Sequence, residues 1–180
     1  QSYSYLSEQY DYDLLRSTNK NLVETIGLPM GLTHSEYKVH NDQFYLIEAG
    51  ARGGGSNLSG KIVPFMSGID NYAYLINEAL EQPVDEAAVK NKVFSKDKYV
   101  IRRFFDFGEG KVRAVEGMEY LKSHPMLLDY QMEVMPGDTL RQPEYGRLRP
   151  GHFIIGGTGK ENVEREAAKI LESVKVIFET

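Results

Sequence analysis

Two short runs, 32–40, in which Tyr37 and Val39 alternate with Glu36, Lys38 and His40, and the largely apolar 44–49, are separated by Asn41, Asp42 and Gln43. Period-two alternation interrupted by turn formers predicts an antiparallel hairpin, because successive strand side chains point to opposite faces. Glu36 then shares a face with His34, Lys38 and His40. What stands opposite it depends on the loop. A three-residue loop, 41–43, places Glu36 across from Glu48 and leaves Tyr37, Val39, Tyr45 and Ile47 on the apolar face. A two-residue Asn-Asp loop turns Glu48 to the other side. Alternation alone leaves both registers open, since each gives one fairly apolar face.

The first register has a chemical consequence. Two carboxylates directly across a ladder repel each other. A divalent cation converts that repulsion into a site, and ligation by oxygen alone suits magnesium, which takes few carboxylates and keeps water or phosphate oxygens. Two solvated glutamates on an exposed hairpin are the competing reading. Just downstream, Arg52 offers a planar, permanently charged fork for phosphate or carboxylate. Gly53, Gly54 and Gly55 permit close backbone approach to a ligand. Together these residues describe a phosphate-handling surface, against the plainer reading of a linker with a surface arginine.

The rest of the chain reads as mixed helix and strand. Leu14, Leu15, Leu22, Val23 and Ile26 recur at helical spacing until Gly27 and Pro29. The run 68–83 predicts a helix with Ile69, Tyr72, Ala73, Ile76 and Leu80 on one face, and 84–93 predicts a short second one. From about residue 96 the texture becomes β-rich. Runs at 98–107 and 110–117, joined by a tight glycine turn, read as a strand pair, with further strands at 127–136 and 151–157. A short helix over 117–125 and a last helix over 160–176 complete the pattern, the latter with a capping box from Thr158 to Glu161. The opening 1–13, rich in tyrosine, shows no clear period and reads as irregular approach or a first helical turn. The fold class is α+β, mostly antiparallel sheet with flanking helices, in two parts, 1–95 and a smaller β-rich 96–180.

Composition narrows the function classes. The absence of cysteine excludes disulfide scaffolds, cysteine-ligated zinc and thiol catalysis. A net charge of −5 argues against nucleic acid as the main partner. No apolar run approaches a membrane span and nothing resembles a signal peptide, so the default location is cytoplasmic.

The residues quoted so far, in "GLTHSEY", then "FYLIEAGARGGG", then "GIDNYAYLINEAL", resemble the second half of an ATP-grasp domain over 13–83. In that family a first metal-binding glutamate sits on one strand and a second returns in a Glu-x-Asn-x-Arg pattern, before a loop and helix. The resemblance implies Glu36 and Glu48 as metal ligands and favours the three-residue loop. It further implies Arg52 as the contact to transferred phosphate or acyl substrate, Gly53–Gly55 as nucleotide-side backbone, and His34 and Asn57 near substrate. Gly50 stands where many members have a further asparagine ligand, which either removes the second magnesium site or passes its ligation to water or Asn57. The "ARGGG" loop is similar to the carboxylate–amine ligase branch that includes L-amino-acid ligases. An ATP-dependent ligase follows from the resemblance, with ATP, magnesium (or manganese in its place), a small carboxylate and an amine as its reactants, and a homodimer among its states. The adenine pocket and phosphate lysine of such enzymes lie upstream of residues like these. The expectation is a metal-bearing half that is inactive alone; a non-catalytic binding or interaction domain is the alternative.

Other motifs carry less. "GGTGKE" at 156–161 lacks the first glycine and the final serine or threonine of a P-loop and reads as a helix cap. Lys90, Lys92, Lys96, Lys98, Arg102 and Arg103 read as solvated. His124 and His152 share no ligand spacing with His34. Arg147 and Arg149 read as a polar loop.

Overall fold

The computed structural model describes residues 1–4, 10–90, 95–141 and 149–179. The chain divides into two compact units, Leu6–Phe94 and the combination of Gln1–Tyr5 with Ser95–Thr180. In the first unit α1 (Tyr12–Ile26) begins where the Asp11 carboxylate accepts the amides of Asp13 and Leu14, and ends at Gly27 in the left-handed region, φ +68°. Both ends are therefore satisfied by residues suited to them. Asn19 on this helix accepts a hydrogen bond from the Tyr37 hydroxyl at 3.0 Å, which ties α1 to the hairpin of β2 (His34–His40) and β3 (Gln43–Gly50).

The hairpin corrects the expected loop. Its turn holds two residues, Asn41 and Asp42, with φ +48° and +56°, and His40 pairs with Gln43. Two successive positive φ values match the twist of the flanking strands, and Asn and Asp tolerate them well. A continuous ladder from this turn would set Glu48 opposite Ser35. Instead the register shifts after Tyr37–Leu46, and Glu36 pairs with Glu48. Ile47 is the extra residue of a β-bulge, which restores the pairing that the longer loop was expected to give. The apolar face changes accordingly: Tyr37 and Val39 face Leu46 and Phe44, while Tyr45 pairs with Lys38 on the glutamate side.

Beyond the hairpin a π-helical turn (Leu58–Ile62) runs into α2 (Val63–Ser67), then α3 (Asn71–Ala79) and α4 (Glu86–Lys90). The sequence reading passed over 58–67, because a π turn and a five-residue helix entered at Pro64 show no 3.6-residue period. Ile62 and Met66 are buried there. The face of α3 that carries Tyr72 and Ile76 is exposed. The end of the helix expected over 84–93, with Lys92, lies outside the described residues, as does Arg147.

The second unit is built on an antiparallel sheet in the order β1 (Ser2–Ser4), β4 (Lys98–Phe104), β8 (Gly151–Thr158), β6 (Leu127–Met132). The opening residues thus form an edge strand rather than a helical turn. One face carries Tyr99, Ile101, Phe153 and Ile155, and α6 (Lys160–Ser173) covers it with Val163, Ala167 and Ile170. A second sheet runs β7 (Thr139–Leu140), β5 (Gly110–Glu116), β9 (Lys175–Phe178), and α5 (Met118–Lys122) follows β5. Strands β4 and β5 therefore lie in different sheets, not in the expected pair. The final apolar run is a strand, because Val174 is extended at the helix end. The capping box is also absent: Gly159 is the N-cap, no side chain caps it, and its amide bonds the Asp97 carbonyl at 2.8 Å. Of the basic residues read as solvated, Arg102 is buried.

Candidate functional site

One face of the bulged hairpin gathers most of the expected site. His34 pairs with Gly50 and Glu36 with Glu48, so these positions form two adjacent rungs on the same side. His34 Nε2 lies 3.1 Å from Glu36 Oε1, and Arg52 Nη2 lies 3.5 Å from Glu48 Oε1. Each carboxylate thus has a cationic or hydrogen-bonding neighbour that relieves the cross-strand repulsion. Both remain more than half exposed, at 55% and 59%, whereas His34 is held at 23%. Arg52 also donates to the Gly53 carbonyl at 3.0 Å, which folds the guanidinium back over the strand end. A side chain at position 50 would begin 3.3 Å from Arg52 Cγ. The arginine stem thus lies against the place where an asparagine would stand, and Gly50 makes room for it.

The three glycines are not equivalent. The Gly54 amide donates to Ser59 Oγ at 2.7 Å, and a Cβ there would lie 3.0 Å from His34 Nδ1 and 2.6 Å from Leu58 Cδ2. At Gly53 a Cβ would lie 2.9 Å from both Ser59 Oγ and the Tyr72 hydroxyl. Gly55 has open space around it. The segment is therefore packed at Gly53 and Gly54 and open at Gly55. Asn57 has φ +61°, and its carbonyl accepts the amides of Lys61 and Ile62 to start the π turn. Ser59 and Tyr72 were not expected at the site; a serine four residues past a glycine run and a tyrosine on a helix carry no motif of their own.

The donor set suits a hard divalent cation that keeps most of its ligands as water or phosphate oxygens: two accessible carboxylates, oxygen only. Among the described residues no group of three or more His, Asp or Glu side chains comes together as a metal cage. Zinc-type ligation by His124 or His152 is accordingly not assembled among these residues.

Comparison with known proteins bears on the fold. Residues 103–179 match the family model for L-amino acid ligase C-terminal domain 2. The structure is similar to an L-amino acid ligase from Bacillus licheniformis, with TM-score 0.69 and 20% identity, over 96% of this chain and 43% of that one. It is similar to phosphoribosylglycinamide synthetase from Anaerococcus prevotii, with TM-score 0.75 and 14% identity, over 99% and 48% of the two chains. The fold is shared with part of each of these solved structures. A third similar structure is the biotin carboxylase domain dimer of Hydrogenobacter thermophilus 2-oxoglutarate carboxylase, in complex with MgADP, ADP and bicarbonate. There the TM-score is 0.64 and the identity 12%, over 98% of this chain and 39% of that one. The chain spans less than half the length of each of these structures. No curated protein matches it by sequence.

Proposed function

We propose that the chain is the metal-bearing half of an ATP-dependent carboxylate–amine ligase. The observation that carries this reading is the pairing of Glu36 with Glu48 on the face that also presents Arg52 and the glycine segment. In the proposed reaction a carboxylate oxygen attacks the γ-phosphorus of ATP, and ADP leaves. The resulting acyl phosphate is attacked at its carbonyl carbon by an amine; the C–O bond to phosphate breaks and the nitrogen loses a proton. Magnesium, held by Glu36 and Glu48 with manganese as a substitute, would neutralise charge on the phosphate oxygens. Arg52 needs only to swing from Glu48 to meet the transferring group, and its 58% exposure leaves it free to do so. His34, braced against Gly54 and Glu36, would fix the orientation of the first carboxylate and line the substrate side. The open backbone at Gly55 and the nearby Asn57 would face the nucleotide or substrate. The adenine pocket and the phosphate lysine belong, in this reading, to a part of the protein beyond residues 1–180, consistent with the greater length of the similar structures. A cytoplasmic location goes with that chemistry.

Glu48→Gln in the full-length protein tests the proposal. Glutamine keeps the size and removes one charge, at a step where such contacts are worth several kcal/mol. ATP turnover should fall roughly a hundredfold or more, at about 1.4 kcal/mol per tenfold. Added magnesium should restore part of it. Unchanged turnover with unchanged magnesium dependence would leave the hairpin as an ordinary surface of a binding domain.

A further inference from the structure

The face of the second unit's sheet that points away from α6 holds a buried positive charge that makes no ion pair with a carboxylate among the described residues. Arg102 on β4 pairs with Ile154, and its neighbour on that face, Phe104, pairs with His152, which in turn pairs with Gln131 on β6. Arg102 keeps only 9% of its surface, and its Nε is buried without a hydrogen-bond acceptor. A guanidinium does not shed its proton at such a site, so burial leaves the charge in place and in need of an anion. Arg102 also meets another cation, its backbone carbonyl accepting from the Gln1 ammonium at 3.2 Å. Its Nη2 lies 3.4 Å from each ring nitrogen of His152, and its Cζ lies 4.8 Å from the Phe104 centroid. The His152 pKa is lowered, chiefly by burial and then by Arg102, against the pull of Asp129 and Glu133, which keeps the ring uncharged near neutrality. Arg149 brings a second guanidinium to the same phenyl ring, 4.3 Å from its centroid.

These groups border a cavity of about 160 Å³, lined by Arg102, Phe104, Gln131, Glu133, Arg149 and His152 among others. At about 30 Å³ per water molecule it has room for a carboxylate group with its hydration partly stripped. A larger cavity of about 590 Å³ shares Phe104 and Arg149 with it and is walled by Phe105, Phe107, Leu140 and Pro150. The two further charged residues on that wall, Asp106 and Arg141, cancel. In the smaller cavity two guanidiniums face one carboxylate, Glu133, which already accepts from Gln131 at 2.5 Å. One positive charge is left over among the described lining residues, which matches a monoanion better than a dianion.

We infer that this pocket binds the carboxylate of a small apolar acid, with Arg102 and Arg149 as its anion contacts and the phenylalanine-lined chamber taking the acid's body. Arg149 is then a ligand-binding residue rather than part of a merely polar loop. The bound carboxylate supplies the acceptor that Arg102 Nε lacks, and the stacking of both cations on Phe104 holds the guanidinium planes in place for it.

The test titrates the protein with 3-phenylpropionate, reading the ¹⁵N–¹H resonance of the Arg102 Nε group and the heat of binding. Saturable binding with a downfield shift of that resonance is expected, as is at least tenfold weaker binding of 3-phenylpropionamide and of inorganic phosphate. Arg149→Ala, at an exposed position that leaves the core untouched, should weaken the acid at least tenfold. Arg102→Gln should abolish binding where circular dichroism shows the variant folded; if it is not folded, Arg149→Ala decides. Absence of saturable binding at tens of millimolar acid would overturn the proposal. So would equal binding of the amide, tighter binding of phosphate, or unchanged affinity in Arg149→Ala.

Discussion

Single residues fix several of the sharpest features of this chain, and two of them make predictions about stability. Gly117 closes the turn between β5 and α5 with φ +79°, and a Cβ there would fall 2.0 Å from the Ser173 carbonyl oxygen and 2.6 Å from its carbon. Backbone cannot yield as a side-chain tip can. Gly117→Ala should therefore cost about 2–4 kcal/mol, combining left-handed strain with displacement of the end of α6. A change in denaturation midpoint of less than about 1 kcal/mol would show that the turn adapts. His152 acts through protons. Its folded pKa is depressed below the ordinary 6.5 by burial and by Arg102. Above 6.5 the ring is neutral in both folded and unfolded chains, so it adds no pH dependence. As the pH falls through 6.5 the unfolded chain takes up a proton that the folded one refuses, and stability declines until the folded value is reached. Denaturation between pH 8 and 5 should show wild-type protein losing more stability than His152→Gln. Equal slopes would place the ring in contact with water.

At the scale of elements the hairpin shows how much the sequence could reveal. Its strands and turn region were legible, because alternation and turn chemistry are local signals; the pairing of the two glutamates was left open by the pattern and favoured only by the family resemblance. The loop length was not, because a bulge at Ile47 compensates one missing loop residue, and the bulge leaves no mark on 44–47, where all four side chains are apolar. The same limit explains β1, β7 and β9, short strands that exist only because partners far along the chain offer them ladders. It also explains why β4 and β5, neighbours in sequence, separate into different sheets. In the candidate site the carboxylates and Arg52 were visible through spacing, whereas Ser59 and Tyr72 join only through folding of the π turn and α3. The register itself can be checked chemically, since the chain has no cysteine of its own. Cross-strand partners hold their α-carbons at about 4.5–5.5 Å, within the span a disulfide bridges. Glu36→Cys with Glu48→Cys should oxidise readily to an intramolecular bridge. Ser35→Cys with Glu48→Cys, the pair of an unbulged ladder, should not. The reverse result would move Glu48 off the face that the metal reading requires.

For the whole molecule, burial is distributed unevenly. Among the described residues most of the buried apolar side chains, Ile101, Phe153 and Ile170 among them, belong to the unit of 95–180, while the unit of 6–94 has Ile62 and Met66. Among the described residues the exposed large apolar side chains run the other way: ten of fourteen, including Ile26, Leu46, Ile47, Ile76 and Leu80, belong to 6–94. Buried apolar area is what holds a unit closed against local opening, so the two units should open with different free energies. Hydrogen exchange on this chain should find amides of β4, β8 and α6 protected far more strongly than those of α1, β2, β3 and α3. The unit proposed to handle ATP is then the softer one, as ligand-gated segments commonly are. The proposed function adds a second expectation. If the exposed apolar faces of the hairpin and α3 are covered by the remainder of a longer ligase, exchange in the full-length protein should slow at β2, β3 and α3 and stay unchanged at β8. Magnesium with ATP should then slow it further around residues 36, 48 and 53–60. Equal protection of both units in the 180-residue chain would show that 6–94 draws its stability from something other than buried apolar surface. Slowing at β8 in place of the hairpin would direct the nucleotide away from Glu36 and Glu48.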